Sequence, residues 1–229
     1  MNKKLIYFFL SFLFSLNLWA QKEKDSLFFK IHFKWKTETL DLNKNYISKS
    51  DTLQLNVLKF YISGIEIKYN NGTFYREKNS YHLVDIENFK PFTISKFENK
   101  TIENIVFNIG VDSTACVSGA NGGDLDLQNG MYWAWQSGYI NMKIEGKSNS
   151  CKTRKNQFQF HIGGYIEPNY ARRTININGN FNDKNQIDLV MDLSKLFEEI
   201  NLSEINSIMI PGEKAMHLAD VTTKIFSIE

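Results

Sequence analysis

Alternation of apolar and polar residues with a period of two runs through most of this 229-residue chain. In SLFFKIHFKW, residues 26–35, the aromatic and aliphatic side chains share one face, and Lys30, His32 and Lys34 share the other. The segments NIVFNIGV, RRTININGNF and NQIDLVMDL repeat the pattern. Because the side chains of a strand point alternately to opposite faces, this period predicts β-strands that each bury one face.

Turn signals and two late helical patterns complete the prediction of the fold class. The dipeptide Asn71-Gly72 predicts a hairpin turn, and Ser63-Gly64 predicts a bulge that changes which face is buried. Helical spacing is confined to SKLFEEI, which starts at Ser194, and to GEKAMHLADVTTKIF. Many short strands with one or two short C-terminal helices predict a mainly β protein, an antiparallel β-sandwich.

The first twenty residues have the composition of a secretory signal peptide. Lys3 and Lys4 precede a Phe- and Leu-rich run, and Ala20 precedes Gln21, which is the order of parts in an export signal. We therefore expect a signal peptide over residues 1–20 with cleavage near Ala20, followed by one domain over residues 21–229. The apolar run is too short to span a membrane. We expect a soluble periplasmic or secreted protein.

The charge balance argues against a nucleic-acid partner. The chain has 27 Lys and Arg against 25 Asp and Glu, and loss of the leader removes Lys3 and Lys4. The remaining chain is formally neutral. Proteins that bind nucleic acids use a basic surface to displace counterions from phosphates. We therefore expect neither a nucleic-acid partner nor a membrane span.

Cys116 and Cys151 are the two cysteines of the chain. An even number of cysteines in an exported protein favours a disulfide. Closing a loop of this length would stabilise the fold by about 3–4 kcal/mol in the chain-entropy model. We expect a Cys116–Cys151 disulfide, with two free thiols or a soft-metal site as the alternatives.

The stretch NGMYWAWQSGY, residues 129–139, places Trp133 and Trp135 close together. With Met131 they fall on one strand face, and a bulge at Ser137-Gly138 would return the following strand to the same core. Core packing is the first expectation, since a buried indole removes a large apolar area from water. Chemical oxidation of an indole ring is the alternative.

Five segments give the chain a resemblance to a known family. LKFYISGIEI, YHLVDI, GVDS, GMYWAWQSGYINMKIEG and FQFHIGGY resemble, in order and spacing, the MbnP-like copper-binding domain family from about Phe28 to Phe226. The resemblance implies an exported β-sandwich that binds copper, in some members through histidine imidazoles and a tryptophan oxidised to kynurenine. It also implies a maturation partner, a di-haem cytochrome c peroxidase-like protein. The methanobactin-associated branch has four cysteines, so this chain with two resembles the divergent branch.

Four histidines are the candidate copper ligands, because neutral imidazole binds copper well. His161 of FHIGGY stands where the family has a histidine, and His32 is the second ligand that we expect. His217 and His82 are secondary candidates, with a surface or core role as the alternative for each. The candidates for an oxidised tryptophan are Trp35, Trp133 and Trp135.

The sequence contains no pattern typical of an enzyme, and we expect none of the familiar catalytic activities. GxSxG, HExxH and phosphate-binding glycine loops are absent. Asp124, Asp126 and Asn129 offer oxygen donors, but their loop lacks the twelfth-position glutamate of an EF-hand, so we expect a solvated loop and no calcium. We expect a copper-binding protein that captures or stores the ion. The alternative is a metal-free structural or surface-interaction module on the same scaffold.

Overall fold

A computed structural model describes residues 26–49, 51–95, 100–119, 121–135, 138–179, 181 and 185–228. The expected signal peptide lies outside the described residues. The strands are β1 (Ser26–Trp35), β2 (Glu38–Thr39), β3 (Asn45–Ser48), β4 (Asp51–Tyr69), β5 (Phe74–Arg76), β6 (Tyr81–Asp85), β7 (Phe92–Ser95), β8 (Ile102–Ile109), β9 (Tyr132–Trp133), β10 (Gly138–Ser148), β11 (Gln157–Gly163), β12 (Tyr165–Ile166), β13 (Asn169–Tyr170), β14 (Arg173–Asn178), β15 (Gln186–Asp192), β16 (Ser207–Ile208) and β17 (Phe226–Ile228). The helices are α1 (Ser113–Val117), α2 (Ser194–Glu198) and α3 (Glu213–Thr222).

Two sheets form the sandwich. In sheet A the strand order is β17-β15-β1-β2, and β7 also pairs with β1. In sheet B the order is β14-β8-β4-β10-β11-β16, while β3, β5 and β6 pair with β4, and β9 pairs with β10. The predicted mainly β sandwich with short late helices is confirmed. Two of its strand pairs, β1 with β15 and β11 with β16, are parallel.

The central core fills the space between the two sheets with the alternate residues that the sequence predicts. In β1, Phe29 and Ile31 are buried, whereas Lys30 is exposed. In β4, Ile62 and Ile65 both reach the central core although they are three residues apart. They can do so because the register of β4 against β8 shifts at Ser63. The predicted bulge is therefore confirmed.

A second apolar cluster, which we call the outer cluster, lies on the far side of sheet B. Tyr61 alternates with Phe60 and Ile62, whose side chains belong to the central core, so its ring points to the outer face. Residues of α1, β9 and the turns between them cover this face. The members of the outer cluster are Tyr61, Val111, Ala115, Cys116, Leu125, Met131, Trp133, Tyr139 and Ile140.

The helices are short and serve mainly to close the ends of the sandwich. The side chains of Ala215, Leu218 and Ala219 on α3 pack into the central core. The sequence pattern did not predict α1, which begins after Asp112, whose carboxylate accepts a hydrogen bond from the amide of Ala115 at 3.0 Å. None of the described helices is both long and apolar enough to cross a membrane.

Candidate metal site on the outer face of sheet B

His161 projects from the outer face of sheet B. On β11 it stands between Phe160 and Ile162, and both of those side chains enter the central core. Its Nε2 donates a hydrogen bond to the carboxylate of Glu145 on the neighbouring strand β10, at 2.7 Å. Its Nδ1 forms no hydrogen bond with the described residues. A histidine held by a carboxylate through one nitrogen presents the other to a metal, as metal-binding histidines commonly do.

The environment of His161 keeps its imidazole neutral. The residue is 6% exposed. Burial lowers the pKa of the imidazole below its usual value, and the nearby Lys143 lowers it further, against the opposing hydrogen bond to Glu145. Since the pKa falls below 6.5, the ring is unprotonated at pH 7 and has a lone pair to donate.

Trp133 packs against the same part of β11. A Cβ atom on Gly163 would lie 2.7 Å from Cζ3 of the Trp133 ring. Gly163 is two residues after His161, so the indole and the imidazole lie over the same outer face. Trp133 is buried, and its Nε1 has no hydrogen-bond partner among the described residues. The ring of Trp135 lies 5.7 Å from it, centroid to centroid, and Trp135 is 63% exposed.

The prediction that both parts of the aromatic stretch return to one core is wrong. Met131 and Trp133 belong to the outer cluster, whereas Met142 and Ile144 face the central core. Ser137, part of the predicted bulge, lies outside the described residues. The tryptophan segment folds over the outer face of sheet B because that face offers apolar surface, led by Tyr61, that would otherwise meet water.

His32 lies on a different surface from His161. It projects from the outer face of sheet A, where its Nε2 donates to Asp188 on β15 at 2.8 Å. The central core separates the two outer faces, and stacked sheets lie about 10 Å apart. Copper–nitrogen bonds are about 2 Å long, by comparison with zinc, so the two imidazoles cannot share an ion. The predicted His32–His161 pair is therefore not formed.

The two secondary histidines lie on other elements, His82 on β6 and His217 on α3. The ring of His82 stacks on Phe92 with centroids 4.0 Å apart, and its Nε2 donates to Glu77 at 2.8 Å. His217 is exposed on α3. Across the described ranges, no three His, Cys, Asp or Glu side chains are grouped so that they could hold a metal ion. A metal site here requires donors beyond these four side-chain types or a change in geometry.

Trp35 is a core residue. It is 3% exposed, and its ring lies 4.8 Å from that of Tyr46 and 5.5 Å from that of Phe197. The core packing expected of an alternating strand is confirmed for this tryptophan. Its ring points between the sheets, so it does not approach the outer-face histidines.

The cysteines do not form the predicted disulfide. Cys116 and Cys151 are both free and buried. Cys116 lies beside the amide of Tyr139 near the start of β10, and Cys151 follows the end of the same strand at Ser148. A strand rises about 3.3 Å per residue, so these ends lie roughly 30 Å apart, whereas a disulfide requires Cα atoms within about 7 Å. Burial raises the pKa of both thiols.

The acidic loop serves the packing of the outer cluster. The carboxylate of Asp124 accepts a hydrogen bond from the amide of Leu83, and its backbone carbonyl accepts one from the hydroxyl of Tyr61. The amide of Asn129 also donates to that carbonyl. The carboxylate of Asp126 caps a short 3₁₀ turn. These groups hold the loop against sheet B.

Glu145 is the site residue that the sequence pattern did not single out. Its signal lies in the hairpin between β10 and β11, where alternation places Lys143 and Glu145 on the same face as His161. Pairing Glu145 with His161 from the sequence would have required the register of β10 against β11. The turn between the strands is irregular, with left-handed backbone at Lys155 and Asn156, so its length does not fix the register.

The fold and the site together define a class: β-sandwich proteins that carry a carboxylate-held histidine beside a tryptophan pair on an outer sheet face. The sequence profile of the MbnP family matches residues 24–210. The chain therefore belongs to the MbnP family. The solved structure of MbnP from Methylosinus trichosporium is similar, with a TM-score of 0.60 and 13% identity over 82% of this chain and 81% of that chain. At this identity the likeness is one of fold. No curated protein matches the sequence.

Proposed function

We propose that this protein is an exported copper-binding protein that captures or stores the ion on the outer face of sheet B. The observation that carries the proposal is the arrangement of His161, whose Nε2 is held by Glu145 at 2.7 Å. Its other nitrogen is unused, and the indole of Trp133 packs two residues further along the same face. Membership of the MbnP family supports copper as the cargo.

The encoded side chains supply part of the coordination. The neutral imidazole of His161 is one good donor for copper. The indole of Trp133 is a hydrogen-bond donor without a free lone pair, so it cannot ligate in its encoded form. Oxidation by two equivalents of hydrogen peroxide breaks the C2–C3 bond, places one carbonyl oxygen on each of the two carbons and releases two waters. Hydrolysis of the resulting N-formyl group then releases formate. The resulting kynurenine has an aryl amine and a ketone, and both can donate to a metal.

The same arrangement supports a maturation partner. We infer that an oxidising partner, of the di-haem cytochrome c peroxidase-like kind, converts Trp133. Trp135 supports this inference because it is largely exposed while its ring lies within 5.7 Å of the buried Trp133 ring. Export through the N-terminal leader would bring the protein to the compartment in which c-type haem partners reside.

A metal-free interaction module is the second candidate function. It is favoured by the absence of any group of three His, Cys, Asp or Glu ligands in the described part of the chain. On this alternative His161 and Glu145 form a structural pair, and Trp135 is a contact residue for a partner.

Competition against a Cu(I) chelator, with protein from its native host, separates the two functions. We expect copper binding in the wild-type protein, its loss in His161→Ala, and its retention in His217→Ala, the matched exposed-histidine control. Intact-mass and peptide analysis should place an oxidised tryptophan at Trp133. Equal competition by the wild-type protein and His161→Ala would reject the copper site and leave the interaction module.

A further inference from the structure

A series of oxidisable rings leads from the surface into the outer cluster. The ring of the exposed Trp135 lies 5.7 Å from that of Trp133. The next ring in the series is that of Tyr132, which precedes Trp133 in β9 and packs against the same cluster. The ring of Tyr132 lies 5.0 Å from that of Tyr139, which lies 5.9 Å from that of Tyr61.

Tyr81 is the next ring in this series. In the pairing of β4 with β6, Tyr61 lies opposite Leu83, and Ser63 lies opposite Tyr81. Tyr61 and Tyr81 are therefore diagonal neighbours on one sheet face, a separation that aromatic side chains can span. Tyr61 is a member of the outer cluster, and Tyr81 packs against it.

Hydrogen bonds distinguish Tyr81 from Tyr139 and Tyr61. The hydroxyls of Tyr139 and Tyr61 donate to the backbone carbonyls of Leu125 and Asp124, at 2.9 and 3.0 Å. A carbonyl is too weak a base to take a phenolic proton. The hydroxyl of Tyr81 instead donates to the carboxylate of Asp112 through a short hydrogen bond.

Asp112 is a suitable base for that proton. Partial burial would raise the pKa of its carboxyl, but the hydrogen bonds from the Tyr81 hydroxyl and the Ala115 amide hold it below the usual value. Asp112 is therefore ionised at neutral pH. A tyrosine gives up an electron much more readily when its proton can move to a base at the same time. Tyr81 is therefore the residue of the series on which a radical would form most stably.

We propose that the outer cluster is a relay for oxidising equivalents, which carries an electron vacancy from Trp135 at the surface to Tyr81. The external reactant is a high-potential, outer-sphere one-electron metal oxidant. The oxidant gains one electron, and each ring between Trp135 and Tyr81 returns to its starting state. In the net reaction Tyr81 loses one electron, its O–H bond breaks, and the proton passes to Asp112, leaving a neutral tyrosyl radical and a protonated carboxyl.

The relay does not depend on bound copper, and it belongs to the chain with unmodified tryptophans. It would protect Trp133 and Trp135 from accidental oxidation, because electron transfer from Tyr81 reduces an oxidised indole before oxygen can add to the ring. The proposed maturation of Trp133 would then have to be faster than electron transfer from Tyr81 to the oxidised indole.

Photogenerated ruthenium(III) tris(bipyridine) tests the relay in metal-free protein whose intact mass shows unmodified tryptophans. Time-resolved absorption and electron paramagnetic resonance should show a tryptophan radical that gives way to a tyrosyl radical. In Tyr81→Phe and in Asp112→Asn we expect the tyrosyl yield to fall several-fold and the tryptophan radical to persist several-fold longer. Asn keeps a side-chain oxygen that can cap α1, so this variant leaves the local fold intact.

Tyr46→Phe is the matched control, because Tyr46 lies beside Trp35 in the central core and outside the series. It should leave both signals unchanged. Wild-type tyrosyl yields and tryptophan lifetimes in both Tyr81→Phe and Asp112→Asn would overturn the relay, as would the lack of any tyrosyl radical in the wild-type protein. Neither result depends on whether the protein binds copper.

Discussion

The indole of Trp133 occupies the space that a side chain at Gly163 would need, since a Cβ there would lie 2.7 Å from Cζ3 of the ring. The same Cβ would lie 2.8 Å from the backbone oxygen of Tyr139. Glycine at this position thus lets β9 fold close over β11 and brings the tryptophan beside His161. The site depends on that close approach.

Gly163→Ala should displace Trp133 and destabilise the protein. Overpacking of a tight contact typically costs about 1–3 kcal/mol, and the free energy of unfolding from urea titration measures it, with indole fluorescence reporting the displaced ring. Gly122→Ala is the control, because nothing lies within 4 Å of a Cβ at that position. We expect the control to change stability by less than about 0.5 kcal/mol. Equal stability of the two variants would contradict the packing described for Trp133.

Glu145→Gln should weaken copper binding without removing a direct ligand. The carboxylate orients the imidazole of His161 and makes it more basic, and loss of such a partner typically lowers metal affinity by about 10–100-fold. Chelator competition measures the change. Glu103→Gln, which removes a surface carboxylate paired with Lys68, should leave the affinity unchanged. An unchanged affinity in Glu145→Gln would separate Glu145 from the copper site.

The stability of the protein should decrease as the pH falls below about 6.5. Burial lowers the pKa of His161 in the folded state, so the unfolded chain binds more protons in this range, and the stability that is present above pH 6.5 is lost on acidification. The lowered pKa of Asp112, held down by hydrogen bonds against partial burial, contributes only at more acidic pH, below about 4. Urea titrations at pH 7.5 and 5.5 should show a larger loss for the wild-type protein than for His161→Gln. His217→Gln should behave as the wild type does, and identical losses in all three proteins would be inconsistent with a buried, neutral His161.

A reducing agent should leave the stability unchanged, because Cys116 and Cys151 are free. A disulfide between them would contribute about 3–4 kcal/mol in the chain-entropy model, so its reduction would move the urea midpoint measurably. Thiol titration should detect little reaction in the folded protein and two thiols per chain after unfolding. A reductant-sensitive midpoint would instead show that the two cysteines are bridged.

Trp35→Ala should destabilise the sandwich without affecting copper binding. The ring fills the central core between Tyr46 and Phe197, and removal of a buried tryptophan costs about 3–5 kcal/mol. The free energy of unfolding measures the first effect and chelator competition the second. The exposed Trp135→Ala serves as the stability control, with an expected change below about 0.5 kcal/mol. Loss of copper binding in folded Trp35→Ala would mean that the ion binds between the sheets.

The sequence by itself determined the alternating strands, the buried faces of β1 and β4, and the family. Alternation placed Ile31 on the inner side of its strand and His32 on the outer side, and Ser63-Gly64 marked the bulge in β4, because these are local properties of a pleated backbone. Five short segments were enough to indicate the family, which the match over residues 24–210 then confirmed.

Only the tertiary structure decided which strands share a sheet, and therefore which side chains meet. His32 and His161 both face outward, yet β1 belongs to sheet A and β11 to sheet B, so they point to opposite sides of the molecule. The pairing of His161 with Glu145 and the packing of Trp133 on Gly163 depend equally on long-range register. A period of two fixes the orientation of a side chain relative to its own strand, whereas the partner strand is chosen by the apolar area that the whole chain can bury.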